Sequence, residues 1–109
     1  KVYTKTWIKP WMYRTKQFII KILLRRDLII HELQTEPWGP RANWEMSTEE
    51  QFKSMNTEEV EAAVKYSLKT GITYADLWGA EWWFWRKITH NDNSLDEVVR
   101  KIVIDYPDL

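Results

Sequence analysis

The sequence contains no cysteine, which excludes a disulfide framework and any metal site built on thiolates. No apolar run approaches the roughly 20 residues that a bilayer-spanning helix needs, so no transmembrane segment is expected. The opening residues, Lys1-Val2-Tyr3-Thr4, have neither an initiator Met nor the charged-then-apolar pattern of a signal peptide. A trimmed chain and a processed one share that look, and localisation is not legible. Internal repeats and low-complexity linkers are absent as well. Acidic residues are missing from the first 26 positions, although the formal net charge is zero. Lys1, Lys5, Lys9, Arg14, Lys16, Lys21, Arg25 and Arg26 all precede Asp27. One reading of this asymmetry is a patch for nucleic acid or a membrane surface. The plainer reading is the solvated outer face of an amphipathic helix, and it is preferred here, with neither nucleic acid nor membrane as a partner.

What the chain does have is tryptophan: eight in 109 residues. So many indoles imply an unusually aromatic core or an aromatic-lined binding surface, because Trp buries a large area yet needs a partner for its N–H.

From Pro10 to Leu24, apolar residues return at helical spacing between Lys and Arg, and Pro10 suits a first turn. Leu28-Ile29-Ile30 then reads as a short strand buried on both faces, as in a parallel sheet, and Pro37-Trp38-Gly39-Pro40 as loop. Ser47 and Glu50 have capping-box spacing and predict a short helix to about Ser54. Asn56 caps a second helix with Val60, Val64 and Leu68 on one face, ended by a positive φ at Gly71. Ile72–Trp78 reads as another strand, closed by Gly79. After the aromatic stretch Trp82-Trp83-Phe84-Trp85, Ser94 and Glu97 form a third capping box. Leu95, Val98, Val99, Ile102 and Val103 make the clearest amphipathic stripe, and Pro107 ends it. The resulting order is helix, strand, helix, strand, helix, with parallel neighbouring strands. A parallel pair needs cover on both faces and both edges. Either three helices wrap a two-stranded sheet, or the sheet continues in residues this chain does not contain. The second is physically easier, so a single partial α/β domain spanning 1–109 is expected.

Ligands of β/α folds bind at the carboxyl ends of the strands. The first strand runs into His31, Glu32, Gln34, Glu36 and Trp38. The second runs into Trp78, Glu81, Trp82, Trp83 and Trp85. Each brings a carboxylate and indole rings to one rim. Strand alternation puts Leu28, Ile30 and Glu32 on one face, so Glu32 stands where an apolar row meets the rim. It is either a salt-bridged structural acid or a catalytic carboxylate with a tunable pKa. His31 points the other way and reads as a hydrogen-bonded packing residue; no second histidine follows at ligand spacing, so no metal is expected. His90 lies in a polar segment that reads as a solvated turn. Consecutive Trp82, Trp83 and Trp85 cannot all be buried on one side, so at least one should be exposed or line a cleft. Indoles beside carboxylates suit sugars, whose C–H faces stack on Trp while their hydroxyls bond to Glu, Gln and Asn.

The segment Ile29-Ile30-His31-Glu32-Leu33-Gln34-Thr35-Glu36-Pro37-Trp38-Gly39 resembles the seventh strand and following loop of cellulase-like (β/α)8 glycoside hydrolases. Asp76-Leu77-Trp78-Gly79-Ala80-Glu81-Trp82-Trp83 is similar to their eighth strand. The resemblance covers nearly the whole chain and implies the C-terminal portion of a TIM barrel and a retaining hydrolase acting on carbohydrate without a cofactor. It makes Glu32 the nucleophile and Trp78 a sugar-stacking residue, with Gln34, Glu36, Trp38, Glu81 and Trp82 as further substrate-binding candidates. The family's acid/base Glu follows strand four, which is absent here, so its partner would be a missing N-terminal barrel segment. The isolated 109 residues are expected to lack glycosidase activity. Two other readings compete. One is a non-catalytic carbohydrate-binding or interaction module. The other is nucleic-acid binding with Trp7, Trp11 and Tyr13 stacking on bases, which the acidic rim opposes.

Overall fold

The computed structural model describes residues 6–105. Lys1, Lys5 and Pro107, the last expected to end the final helix, lie outside the described residues. The elements run α1 Pro10–Leu24, β1 Ile30–Gln34, a 3₁₀ turn Asn43–Glu45, α2 Thr48–Phe52, α3 Thr57–Lys69, β2 Ala75–Trp78, α4 Ala80–His90 and α5 Ser94–Asp105. The fold is mixed helix and strand around a two-stranded sheet, with β1 and β2 parallel.

Local chemistry explains several of these elements. Pro10 opens α1, and Arg25 closes it in the left-handed conformation, φ 52°, with its amide on the Lys21 carbonyl at 3.1 Å. Ser47 and Glu50 form the expected capping box at α2, and Asn56 accepts the Glu59 amide at α3 at 2.9 Å. Val60 and Val64 turn inward from α3, and Gly71 follows its end at φ 74°. The third box differs. Ser94 is the first residue of α5, and its amide and hydroxyl both bond to Asp92, at 3.0 and 2.6 Å. A carboxylate two residues upstream satisfies the first-turn amide of Ser94, while the Glu97 amide that a Ser94 cap would hold bonds to the Asn93 carbonyl at 3.0 Å.

The strands depart further from expectation. β1 starts at Ile30 rather than Leu28, and β2 covers Ala75–Trp78 only. Ile30 pairs with Ala75 while Leu33 pairs with Leu77, so β1 holds one extra residue over that interval. This bulge breaks the alternation that put Leu28, Ile30 and Glu32 on one face. Both His31 and Glu32 are exposed, as is Ile29, so β1 is not buried on both faces. The aromatic stretch forms a further helix, α4, adding an element to the expected order.

The core gathers where α3, α4 and α5 meet: Met55, Val60, Trp82, Trp83 and Leu95, flanked by Phe52, Leu77, Val98 and Val99. Burying an indole of Trp82 or Trp83 contributes on the order of 4 kcal/mol. α3 packs on α5 and β1 and more lightly on α1. No residue of α1 is fully buried; Trp11, Phe18, Ile19, Ile22 and Leu23 face outward. The molecule measures 47 × 32 × 18 Å, so its thin axis holds little more than one helical layer on the sheet. Among the described residues no helix is long and apolar enough to cross a membrane.

Candidate functional site

The strand ends are tied together by Thr35. Its amide and hydroxyl both bond to the Trp78 carbonyl, at 2.8 and 2.7 Å, and its own carbonyl accepts the Trp83 indole at 2.9 Å. Thr35 is fully buried, so these bonds act in a dry setting. Gly79 makes the next turn possible. It has φ 123°, and a Cβ there would lie 2.6 Å from the Glu36 Cβ and 2.9 Å from the Glu36 backbone nitrogen. Only a residue without a side chain lets β2 pass this close to β1 and start α4.

Beyond this junction Glu36 becomes the hub of the loop. Its Oε1 accepts the Trp78 indole N–H at 3.0 Å, and its Oε2 accepts the Asn43 amide at 3.1 Å. Its backbone carbonyl accepts from the Gln34 side chain at 2.9 Å. The far end of the loop is held by Gln51, which is fully buried. Gln51 donates to the carbonyls of Asn43 and Met46, at 2.8 and 3.0 Å, and accepts from Trp82 and Arg86, both at 2.9 Å. Arg86 is itself buried, with Phe52 stacked 4.5 Å from its guanidinium and Asp92 paired at 2.9 Å. Burial opposes ionisation of Asp92, but the Ser94 hydroxyl and amide and the Arg86 charge outweigh it and lower its pKa.

Together these bonds hold open a cleft of about 570 Å³ lined by Glu36, Pro37, Trp38, Gly39, Arg41, Ala42, Asn43, Trp44, Glu81, Trp82 and Trp85. A ring-sized ligand fits such a volume. Trp38 and Trp44 expose 61% and 71% of their surface, while Trp82, at 2%, forms the floor. Trp85 is half-buried, with His90 edge-on at 5.0 Å. Arg41 is held at the rim by Glu50, 2.9 Å away. The backbone hydrogen bond from Ser47 and then the Arg41 charge keep the Glu50 carboxyl below its ordinary range, against some desolvation.

The structure therefore brings Glu36, Trp38, Glu81 and Trp82 together in one cleft. Trp78 adjoins it through its bond to Glu36. Glu32 and Gln34 do not line it: Glu32 is exposed on the bulged part of β1, and Gln34 braces the Glu36 carbonyl. His31 is an exposed residue rather than a packed one, with Nδ1 3.1 Å from Asp76. A hydrogen bond and the charge of that same Asp76 raise the pKa of Tyr74. His90 is the last residue of α4, not part of a free turn. Among the described residues no group of three His, Asp or Glu is placed to hold a metal ion.

Arg41, Asn43 and Trp44 were not among the sequence candidates. They sit in a stretch without periodicity, and their position depends on Gln51, a residue outside the loop. The legible hint was local: Pro37-Trp38-Gly39-Pro40 marks a shaped loop, and the aromatic and amide groups follow directly.

Compared with protein-family models, with curated proteins and with solved structures, the chain matches none.

Proposed function

We propose that the chain binds carbohydrate in the cleft between residues 36–44 and the start of α4. We further propose that it works as the C-terminal part of a retaining glycoside hydrolase barrel in which Glu32 is the nucleophile. One observation carries the first reading: two outward-facing indoles, Trp38 and Trp44, share a cleft with the carboxylates of Glu36 and Glu81 and the amide of Asn43. A pyranose offers C–H faces to indoles and hydroxyls to carboxylates and amides. A purely structural Trp cluster would bury such rings, as Trp82 and Trp83 are buried.

The larger barrel is supported by what this fold leaves open. Two parallel strands present unpaired edges, and Ile29 together with the α1 residues Phe18, Ile22 and Leu23 lies exposed. Further β/α units would cover them. Glu32 stands on the strand that feeds the cleft but outside its lining, so the chain by itself is a sugar-binding element without turnover. In the intact barrel its carboxylate would attack the anomeric carbon while a second carboxyl group protonates the leaving oxygen.

Calorimetric titration of the chain against a panel of neutral and amino oligosaccharides tests the binding reading. Saturable binding to at least one is expected; silence across the panel contradicts it.

A further inference from the structure

The groups around the cleft differ in whether they still have hydrogen-bonding capacity. Three of the side-chain N–H groups at its edges are committed. Trp78 and Asn43 donate to Glu36, and Trp82 donates to Gln51. The one cationic lining residue, Arg41, is turned onto Glu50. The acceptors are less used. Glu81 is exposed at the start of α4 and makes no ion pair among the described residues. Glu36 accepts two bonds, whereas a carboxylate has about four lone-pair sites. The cleft thus offers two carboxylates and the exposed faces of Trp38 and Trp44, with its own positive charge already neutralised.

A surface of that kind complements a ligand that donates hydrogen bonds and is positively charged. A hydroxyl brings one donor and two acceptor sites, and so uses the carboxylates poorly. An ammonium brings three donors and no acceptor, and it is also drawn to the negative face of an indole. We propose that the cleft prefers sugars bearing a free amino group, with Glu81 and Glu36 receiving the ammonium and Trp38 and Trp44 flanking it. This selectivity rests on the carbohydrate reading above and narrows it to aminated sugars.

The test titrates the chain, by tryptophan fluorescence and calorimetry, with three tetrasaccharides: β-1,4-linked glucosamine, its N-acetylated form and the glucose equivalent. In mildly acidic, low-salt buffer the glucosamine tetramer should bind about ten-fold more tightly than either neutral sugar. Glu81→Gln should remove most of that advantage, weakening the glucosamine tetramer several-fold more than either neutral sugar; the site is exposed, and circular dichroism verifies that the variant folds. Titrating the sugar amines to their neutral form at higher pH should also erase the advantage. Equal affinity for all three sugars overturns the preference for amines while leaving sugar binding intact. Binding of the amine alone with no effect of Glu81→Gln overturns the assignment of its receptor. No binding of any of the three overturns this preference, and failure across the wider panel overturns the carbohydrate reading beneath it.

Discussion

Glu36 and Trp78 meet at 3.0 Å, carboxylate to indole N–H, across residues that stand 42 positions apart in the chain. The contact joins the loop after β1 to the end of β2, and Glu36 passes it on to Asn43 in the cleft wall. Glu36→Ala would free the Asn43 amide and the Trp78 indole and loosen the loop. Both donors can reach water, so the stability cost should be modest, about 1–2 kcal/mol in urea unfolding. Sugar affinity should fall about ten-fold or more, because the loop position and an acceptor are lost together. Full affinity in the variant would remove Glu36 from the site.

Gly79→Ala tests the close approach of the two strand ends. Its Cβ would meet the Glu36 Cβ at 2.6 Å and backbone atoms at 2.9 Å, at a φ of 123°. Backbone cannot swing aside as a side chain can. Strain at such a φ costs about 1–3 kcal/mol before the collision is added, so a loss of at least about 3 kcal/mol is expected in denaturant unfolding. A change within about 0.5 kcal/mol, as at an ordinary surface site, would show that the chain passes there more loosely.

The Arg86–Asp92 pair gives the acid dependence a sign. Asp92 has a lowered pKa in the folded state, so its contribution to stability is present above the ordinary aspartate value of about 3.9. It is lost as the pH falls through the lowered folded value. Asp92→Asn should cost about 3 kcal/mol near neutrality, since the buried Arg86 loses its carboxylate. The variant's melting temperature should also fall less steeply than that of the parent between about pH 4 and pH 2. Asp96 and Glu50 titrate in the same region with lowered pKa values, so the difference between the two proteins isolates Asp92. Parallel curves would contradict its role.

These contacts also mark the line between what the residues announce locally and what they do not. The boundaries of α1 and the caps at Ser47 and Asn56 were legible because Pro10, Ser47, Glu50 and Asn56 act within one turn of chain. The parallel pairing was legible from the helix between the strands. The bulge in β1 was not, because one extra residue between Ile30 and Leu33 is defined only by its partners in β2. α4 was hidden for a different reason. Trp82, Trp83, Phe84 and Trp85 are apolar all round, so no helical face stands out, although Trp82, Trp83 and Arg86 do share the buried side. Four of the site candidates, Glu36, Trp38, Glu81 and Trp82, came together in the cleft. Arg41, Asn43 and Trp44 stayed invisible because buried Gln51 shapes their loop from outside it.

Glu32→Gln in a protein containing the remaining barrel units separates binding from turnover. Hydrolysis should fall by several orders of magnitude with sugar affinity kept, since the Gln amide has the shape of the carboxylate and the cleft indoles are untouched. Unchanged turnover would dismiss Glu32 as the nucleophile.

The most direct measurement is oligosaccharide binding by the double variant Trp38→Ala, Trp44→Ala, followed by calorimetry. Both indoles are largely exposed, so their removal should leave folding close to unchanged. If the cleft stacks a sugar ring, affinity should drop at least about thirty-fold, roughly 2 kcal/mol, while the unfolding midpoint stays within a few degrees of the parent. Parent-like affinity in a folded double variant would place any sugar elsewhere and contradict the cleft as its site.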